Sequence, residues 1–168
     1  MLSHLATVGG RTVLLTDDRG QSGEGLIEIY LKEPAGTLRL VNLSTRAQLT
    51  ENGTLTVGFV LVGPGTSRVL VRAVGPGLAP FGVEGRAEDP QLTLYRIDPD
   101  RTFPAERNDD WNSVLEFTFA SVGAFGLARG SKDSAMVSTV TAGAYTAVAT
   151  NRDRSASVIL VELYLLPE

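Results

Sequence analysis

The side chains best equipped for chemistry are oxygen donors in two short clusters, Asp98 with Asp100 and then Asn108, Asp109 and Asp110. Hard oxygen ligands gathered in loops suit Ca²⁺, which takes about six to eight of them. Asp133 would join if the fold brought it near. The spacing lacks the D-x-D-x-D-G run and distant Glu of an EF-hand, and Asp and Asn are also ordinary turn formers. A calcium site and a set of solvated turns therefore both fit. Trp111, the sole Trp, follows the second cluster. It suits either a sugar-stacking platform or a core position. Asp98, Asp100 and Glu106 could be drawn as a glycosidase carboxylate pair, but their spacing does not favour that over a loop.

Other chemistry is curtailed by composition. The 168 residues contain no Cys and one His, His4. Disulfides and thiolate metal sites are excluded, and a Ser-His-Asp arrangement would have to recruit a residue near the terminus. Gly63-Pro64-Gly65 and Gly75-Pro76-Gly77 do not match phosphate-binding loops and read as turns. The formal net charge is −4 and the Arg residues are interleaved with acids. Nucleic acid is not an expected partner, since phosphate binding needs a concentrated basic face. No apolar run reaches the roughly 18 residues of a membrane span, and residues 1–6 lack the basic and apolar regions of a signal peptide. The chain is read as a non-enzyme.

The elements that would carry these residues are short alternating runs cut by Gly, Pro, Asn and Asp, the pattern of a sandwich or barrel. Strands are expected at 12–16, 25–32, 37–42, 54–62, 67–74, 91–97, 134–140, 145–150 and 157–165. Residues 63–66 are expected to close a hairpin between two of them. Residues 54–62 alternate Leu55, Val57, Phe59 and Leu61 with a face that is only partly polar, so cover on both sides is expected. Residues 78–83 could form one helical turn at a sandwich end. Residues 113–125 fit either a short helix or a loop that brings Phe117, Phe119 and Phe125 to the core. Arg39, Arg68, Arg72 and Arg96, with Glu28 and Glu162, could make cross-strand ion pairs on sheet faces. The expected fold is an all-β antiparallel β-sandwich, jelly-roll or immunoglobulin-like, with an additional N-terminal β-hairpin.

An internal repeat accounts for that extra hairpin. Residues 9–34 align without a gap on residues 143–168, an offset of 134. Gly9/Gly143, Thr12/Thr146, Thr16/Thr150, Leu26/Leu160, Glu28/Glu162, Tyr30/Tyr164 and Leu31/Leu165 are identical. Ile27, Ile29 and Leu31 share one face, as do Val161, Leu163 and Leu165. The organisation read from this is an N-terminal hairpin segment over 1–36 and a repeat unit over 37–168. A lone amphipathic hairpin is not stable by itself. Leu26, Ile27, Ile29, Tyr30 and Leu31 are therefore the expected assembly interface, docking on a neighbouring unit.

The stretches Arg39–Arg46, Arg68–Leu78, Asp89–Tyr95, Asn108-Asp109-Asp110-Trp111, Gly123-Ala124-Phe125, Gly130–Ala135 and Gly143–Ala147 resemble a tandem β-sandwich repeat module of large secreted and surface bacterial proteins. The L-x-L-Y, N-D-D and G-x-Y-T runs of the second half are similar, more loosely, to the bacterial pre-peptidase C-terminal domain. Both resemblances imply a non-catalytic extracellular or cell-surface module. The expectation is a subunit or repeat of a self-assembling fibre or surface array, docking head to tail onto itself through its N-terminal hairpin. The alternative is a carbohydrate- or surface-binding accessory module of a larger secreted enzyme or adhesin, with a glycan as partner and Trp111 as its platform.

Overall fold

The structure, a computed structural model, describes residues 9–16, 18–21, 23–29 and 40–167. The chain divides into two compact units, Met1–Arg39 and Leu40–Glu168.

The second unit is all-β. Strands β1 (Asn42–Leu49), β2 (Leu55–Val74), β3 (Pro90–Asp98), β4 (Arg101–Asn108), β5 (Ser134–Asn151) and β6 (Ser157–Leu165) pair antiparallel in the order β1-β6-β2-β5-β3-β4. Two 3₁₀ turns, Pro76–Phe81 and Ser113–Leu115, and the helix α1 (Glu116–Ser121) complete it. The sheet folds over on itself. On β2 the odd-numbered Val57, Val69, Val71 and Ala73 all enter one core, with Leu92 and Leu94 of β3, Ala147 and Ala149 of β5, and Ile159, Val161 and Leu163 of β6. Period-2 alternation keeps these side chains on a single face along the whole strand.

Residues 63–66 do not close a hairpin. Both halves of β2 pair with β5, Leu55–Leu61 against Gly143–Ala149 and Thr66–Ala73 against Ser134–Thr141. The two strands run on together through one irregularity between Leu61 and Thr66. Gly63 (φ 111°) and Gly65 (φ 84°) supply backbone that other residues rarely adopt. The same break accounts for the two strands expected at 134–140 and 145–150, which are one. β4 is unforeseen, because Pro104 and the charges around it resemble a loop. Pro104 is tolerated because β4 is an edge strand and the register shifts there, between Leu94 and Tyr95 of β3.

The outer face of β2's second half is not solvated. Leu70, Val74, Ala135 and Tyr164 form a second core with Leu78, Trp111, Phe119, Ala124 and Leu127. The Pro76–Phe81 turn and residues 111–127 therefore act as a lid of helical turns. Of the three aromatics expected to reach this region, Phe119 is buried, Phe125 is half-buried and Phe117 is exposed.

Residues 143–165 are not a hairpin either. β5 and β6 are not neighbours, since β2 lies between them in the sheet order. The chain crosses from one layer to the other, so the side chains of the two strands, not their backbones, face each other. This is a β-arch. Its turn is fixed by Asn151, whose amide donates to Asp153 Oδ1 (2.7 Å) and Ser155 Oγ (2.9 Å), and by Arg154 in the left-handed region at φ 63°.

In the first unit two backbone angles match those of aligned residues in this arch. Gly20, aligned with Arg154, has φ 66°, and Gly9, aligned with Gly143, has φ 137° against 151°. Its described residues carry no assigned strand, so the expected hairpin ladder is absent among them. Leu15 lies against Gly25, where an added Cβ would overlap Leu15 Cδ2. The aligned residues Ala149 and Ile159 share the main core, with the large and small partners exchanged.

One close approach can be tested. A Cβ on Gly75 would overlap the carbonyl oxygen of Ala87. Gly75→Ala should lower the stability of the second unit by about 1–3 kcal/mol, as overpacking does, read as a lower midpoint in urea.

Candidate functional site

Three polar assemblies and one apolar surface are candidates. The first assembly collects the acidic motif. Asp133, fully buried, accepts from the Gly75 amide (2.8 Å), the Gly77 amide (3.0 Å) and the Ser131 hydroxyl (2.6 Å). Its carbonyl accepts from the Trp111 amide at 2.8 Å. Ser134 Oγ lies within hydrogen-bond distance of the carbonyls of Pro90, Asn108 and Asp109, and Asn108 Oδ1 accepts from the Ala135 amide at 2.9 Å. Four of the seven stretches singled out in the sequence, Arg68–Leu78, Asp89–Tyr95, Asn108–Trp111 and Gly130–Ala135, thus meet in one hydrogen-bonded hub, which ties the lid to the sheet.

The five candidate calcium ligands do not share a site. Asp98 and Asp100 flank the turn from β3 to β4, whereas Asn108, Asp109 and Asp110 lie at the far end of β4, roughly 25 Å away at strand rise. Asp98 pairs with Arg96 (3.0 Å), Asp109 with Arg152 (3.0 Å) and Asp110 with Lys132 (2.8 Å). Among the described residues no three carboxylates or imidazoles gather as a metal site would require. Trp111 is not a platform. It is 6% exposed, its ring packs on Phe119, and Nε1 donates to Ser131 Oγ and Ala128 O.

The second assembly is a buried ion pair. Arg72 and Glu162 stand opposite each other in the β2–β6 ladder and face the lid. Arg72 Nε donates to Glu162 Oε2 at 2.9 Å. Nη2 stands 2.7 Å from the same oxygen as an ion-pair contact outside hydrogen-bond alignment. Nη1 donates to the Phe125 carbonyl at 2.6 Å. The guanidinium lies over the rings of Phe119 (4.7 Å) and Phe125 (4.4 Å). Glu162 Oε1 accepts from the Tyr164 hydroxyl at 2.8 Å. Burial, and then the Glu162 carboxylate beside it, raise the Tyr164 pKa well above the usual tyrosine range. The cross-strand pair expected on a solvated face is therefore the centre of a covered one.

The third assembly is an open cleft of about 300 Å³ between β3, β4 and β5. Its polar side chains engage each other. Glu106 accepts from the Ser138 hydroxyl, and Arg96 donates to Thr141 Oγ1 (2.8 Å), Tyr145 Oη (3.2 Å) and Asp98.

The apolar surface involves the first unit. In the repeat alignment Val13, Leu15, Ile27 and Ile29 correspond to the core residues Ala147, Ala149, Val161 and Leu163. They are 57%, 54%, 45% and 52% exposed, against 83% and 77% for Leu14 and Leu26, which correspond to outward positions. The first unit thus has an inner set of apolar side chains that are half exposed. Of the expected assembly residues, Ile27 and Ile29 belong to this set and Leu26 to the opposite side, while Tyr30 and Leu31 lie outside the described residues. The inner set differs from the expectation by including Val13 and Leu15, which the gapless alignment alone could have located.

No protein-family model matches the chain, and no curated protein matches it in sequence. Among solved structures, the crystal structure of Yersinia pseudotuberculosis-derived mitogen is similar at 10% identity and a TM-score of 0.43, covering 76% of this chain and 87% of that one. No helix among the described residues is long and apolar enough to cross a membrane.

The buried pair makes two predictions. Glu162→Ala strands the Arg72 charge and should cost about 3–5 kcal/mol, most of it recovered when Arg72→Met is added; urea denaturation of both variants checks this. Tyr164 stays neutral in the folded protein at a pH where the unfolded chain ionises. Its contribution is fully present below the ordinary tyrosine pKa of about 10 and is lost as pH rises beyond it. Stability measured from pH 8 to pH 11 should fall at the alkaline end, and Tyr164→Phe should flatten that fall.

Proposed function

We propose that the chain is a non-catalytic extracellular structural module that self-associates through its first unit, as a subunit or repeat of a fibre or surface array. One observation carries this reading: the first unit carries the left-handed turn residue and the apolar set aligned with those of the β5–β6 arch, yet its described residues have no flanking strand and that apolar set is half exposed. In an arch the two strands cannot satisfy each other's backbone groups, so each needs a neighbour in a sheet. The extracellular setting rests on the resemblance of the remainder of the chain to surface repeat modules.

Magnitudes bound the strength of such an association. Complete burial of a Val, Leu or Ile side chain is worth about 1.5–3 kcal/mol. Half of that remains for each of the four, a total of roughly 3–6 kcal/mol. Association costs about 4–15 kcal/mol in lost freedom and ordering. Apolar burial alone therefore does not suffice, and ladder hydrogen bonds of about 0.5–1.5 kcal/mol each must contribute. This favours modest pairwise affinity that gains persistence by repetition along an array.

The full chain should sediment as concentration-dependent oligomers. Ile27→Lys with Ile29→Lys should return it to monomer without moving the unfolding transition followed by Trp111 fluorescence, since Trp111 lies in the second unit. Oligomers that survive both substitutions would contradict the proposal.

A further inference from the structure

We infer that the first unit of one copy docks on the open end of the second unit of another copy, where β1 and the first half of β2 form an arch lined by strands on one side only. This rests on the self-association reading above and names its acceptor.

The second unit contains two arches stacked side by side. β1 lies beside β6, and the first half of β2 lies beside the second half of β5. The connection from β1 to β2 and that from β5 to β6 are therefore neighbours, and the Asn52 amide donates to the Arg154 carbonyl at 2.8 Å. Asn52 adopts the left-handed region at φ 59°, as Arg154 does at φ 63°. On the other side of β1 and of the first half of β2 there is no strand among the described residues.

That end of the core is incompletely closed. Leu43 of β1 and Leu55, Phe59 and Leu61 of β2 pack against the main core but are only partly buried. On the opposite, outward face of the same stretch Val60 and Val62 are exposed. A strand edge and an unfinished apolar interior thus occur at the same place.

The occupant is specified by the repeat. The β1–β2 arch already accepts the 143–165 sequence on one side, with β5 antiparallel to β2 and β6 antiparallel to β1. The first unit carries the aligned sequence, the aligned left-handed turn residue and the aligned inner apolar set. Placed on the open side with the same polarity, its residues 12–16 extend the ladder from β2 and its residues 25–29 extend the ladder from β1. Val13, Leu15, Ile27 and Ile29 then continue the core past Phe59 and Leu43. The β1–β2 arch becomes the middle of three. The contact is heterologous, with different surfaces on the two copies, and so it propagates head to tail.

The absence of Cys from the chain makes the contact directly testable by cross-linking. Leu14 aligns with Val148, which stands opposite Thr56 in the β2–β5 ladder. Opposed positions on antiparallel strands are close enough for a disulfide. Full-length Leu14→Cys protein is mixed with full-length Thr56→Cys protein, or with Val60→Cys protein on the same face of β2, and oxidised. Val114→Cys, exposed on the lid, serves as control. The expected result is a covalent mixed dimer with Thr56→Cys or Val60→Cys and none with Val114→Cys. Oligomers in sedimentation that link at neither β2 position, or as strongly at Val114, would overturn this acceptor while leaving self-association standing. A wild-type chain that stays monomeric at every concentration would overturn the self-association reading and this inference with it.

Discussion

The second unit depends on the length of the β2–β5 ladder. A pair of strands of 20 and 18 residues is too long for one flat layer of a small domain. It bends at residues 61–66 and contributes to both layers. Because side-chain alternation persists through the bend, one continuous face of β2 becomes the interior of the fold. β3 and β4 then extend one half of the bent ribbon, and β6 and β1 extend the other. The arches follow from the same bend, since a chain leaving β5 in one layer must cross to enter β6 in the other.

The opposite face of the second half of β2 would be an ordinary wet surface without its lid. Arg72 and Glu162, placed across from each other, are covered by Phe119 and Phe125 and tied to the lid through the Phe125 carbonyl. A buried pair of this kind adds little net stability compared with apolar residues, but it is costly to break. Asp133 works similarly at the lid's edge, where its carboxylate holds the Gly75 and Gly77 amides. Gly77 is closely packed as well, since a Cβ there would stand 2.7 Å from Leu127 Cδ2 and displace that side chain. Asn108 and Trp111, which suggested part of a metal or sugar site, are thereby occupied in joining lid to sheet.

Arch stacking is the building principle of the second unit. An arch stacks on an arch, each covering the inner side chains of the next. The second unit applies this once within itself. The first unit carries the aligned apolar set half exposed, and the proposed assembly extends the same stacking from copy to copy.

The sequence by itself determined the all-β class, the bounds of β6, and the repeat with its inner and outer faces, because alternation and identity are local and survive without knowledge of partners. It also showed Arg72 and Glu162 within strands. Three matters were decided only by tertiary structure. Residues 63–66 have the composition of a hairpin turn, but pairing of both flanking runs with β5 makes them a bend. β4, with Pro104 inside it, is a strand because it needs to bond on one side only. Residues 143–165 form an arch and not a hairpin because β2 intervenes between their strands. In each case the local chain is compatible with either outcome, and the backbone hydrogen bonds that choose between them come from residues distant in sequence.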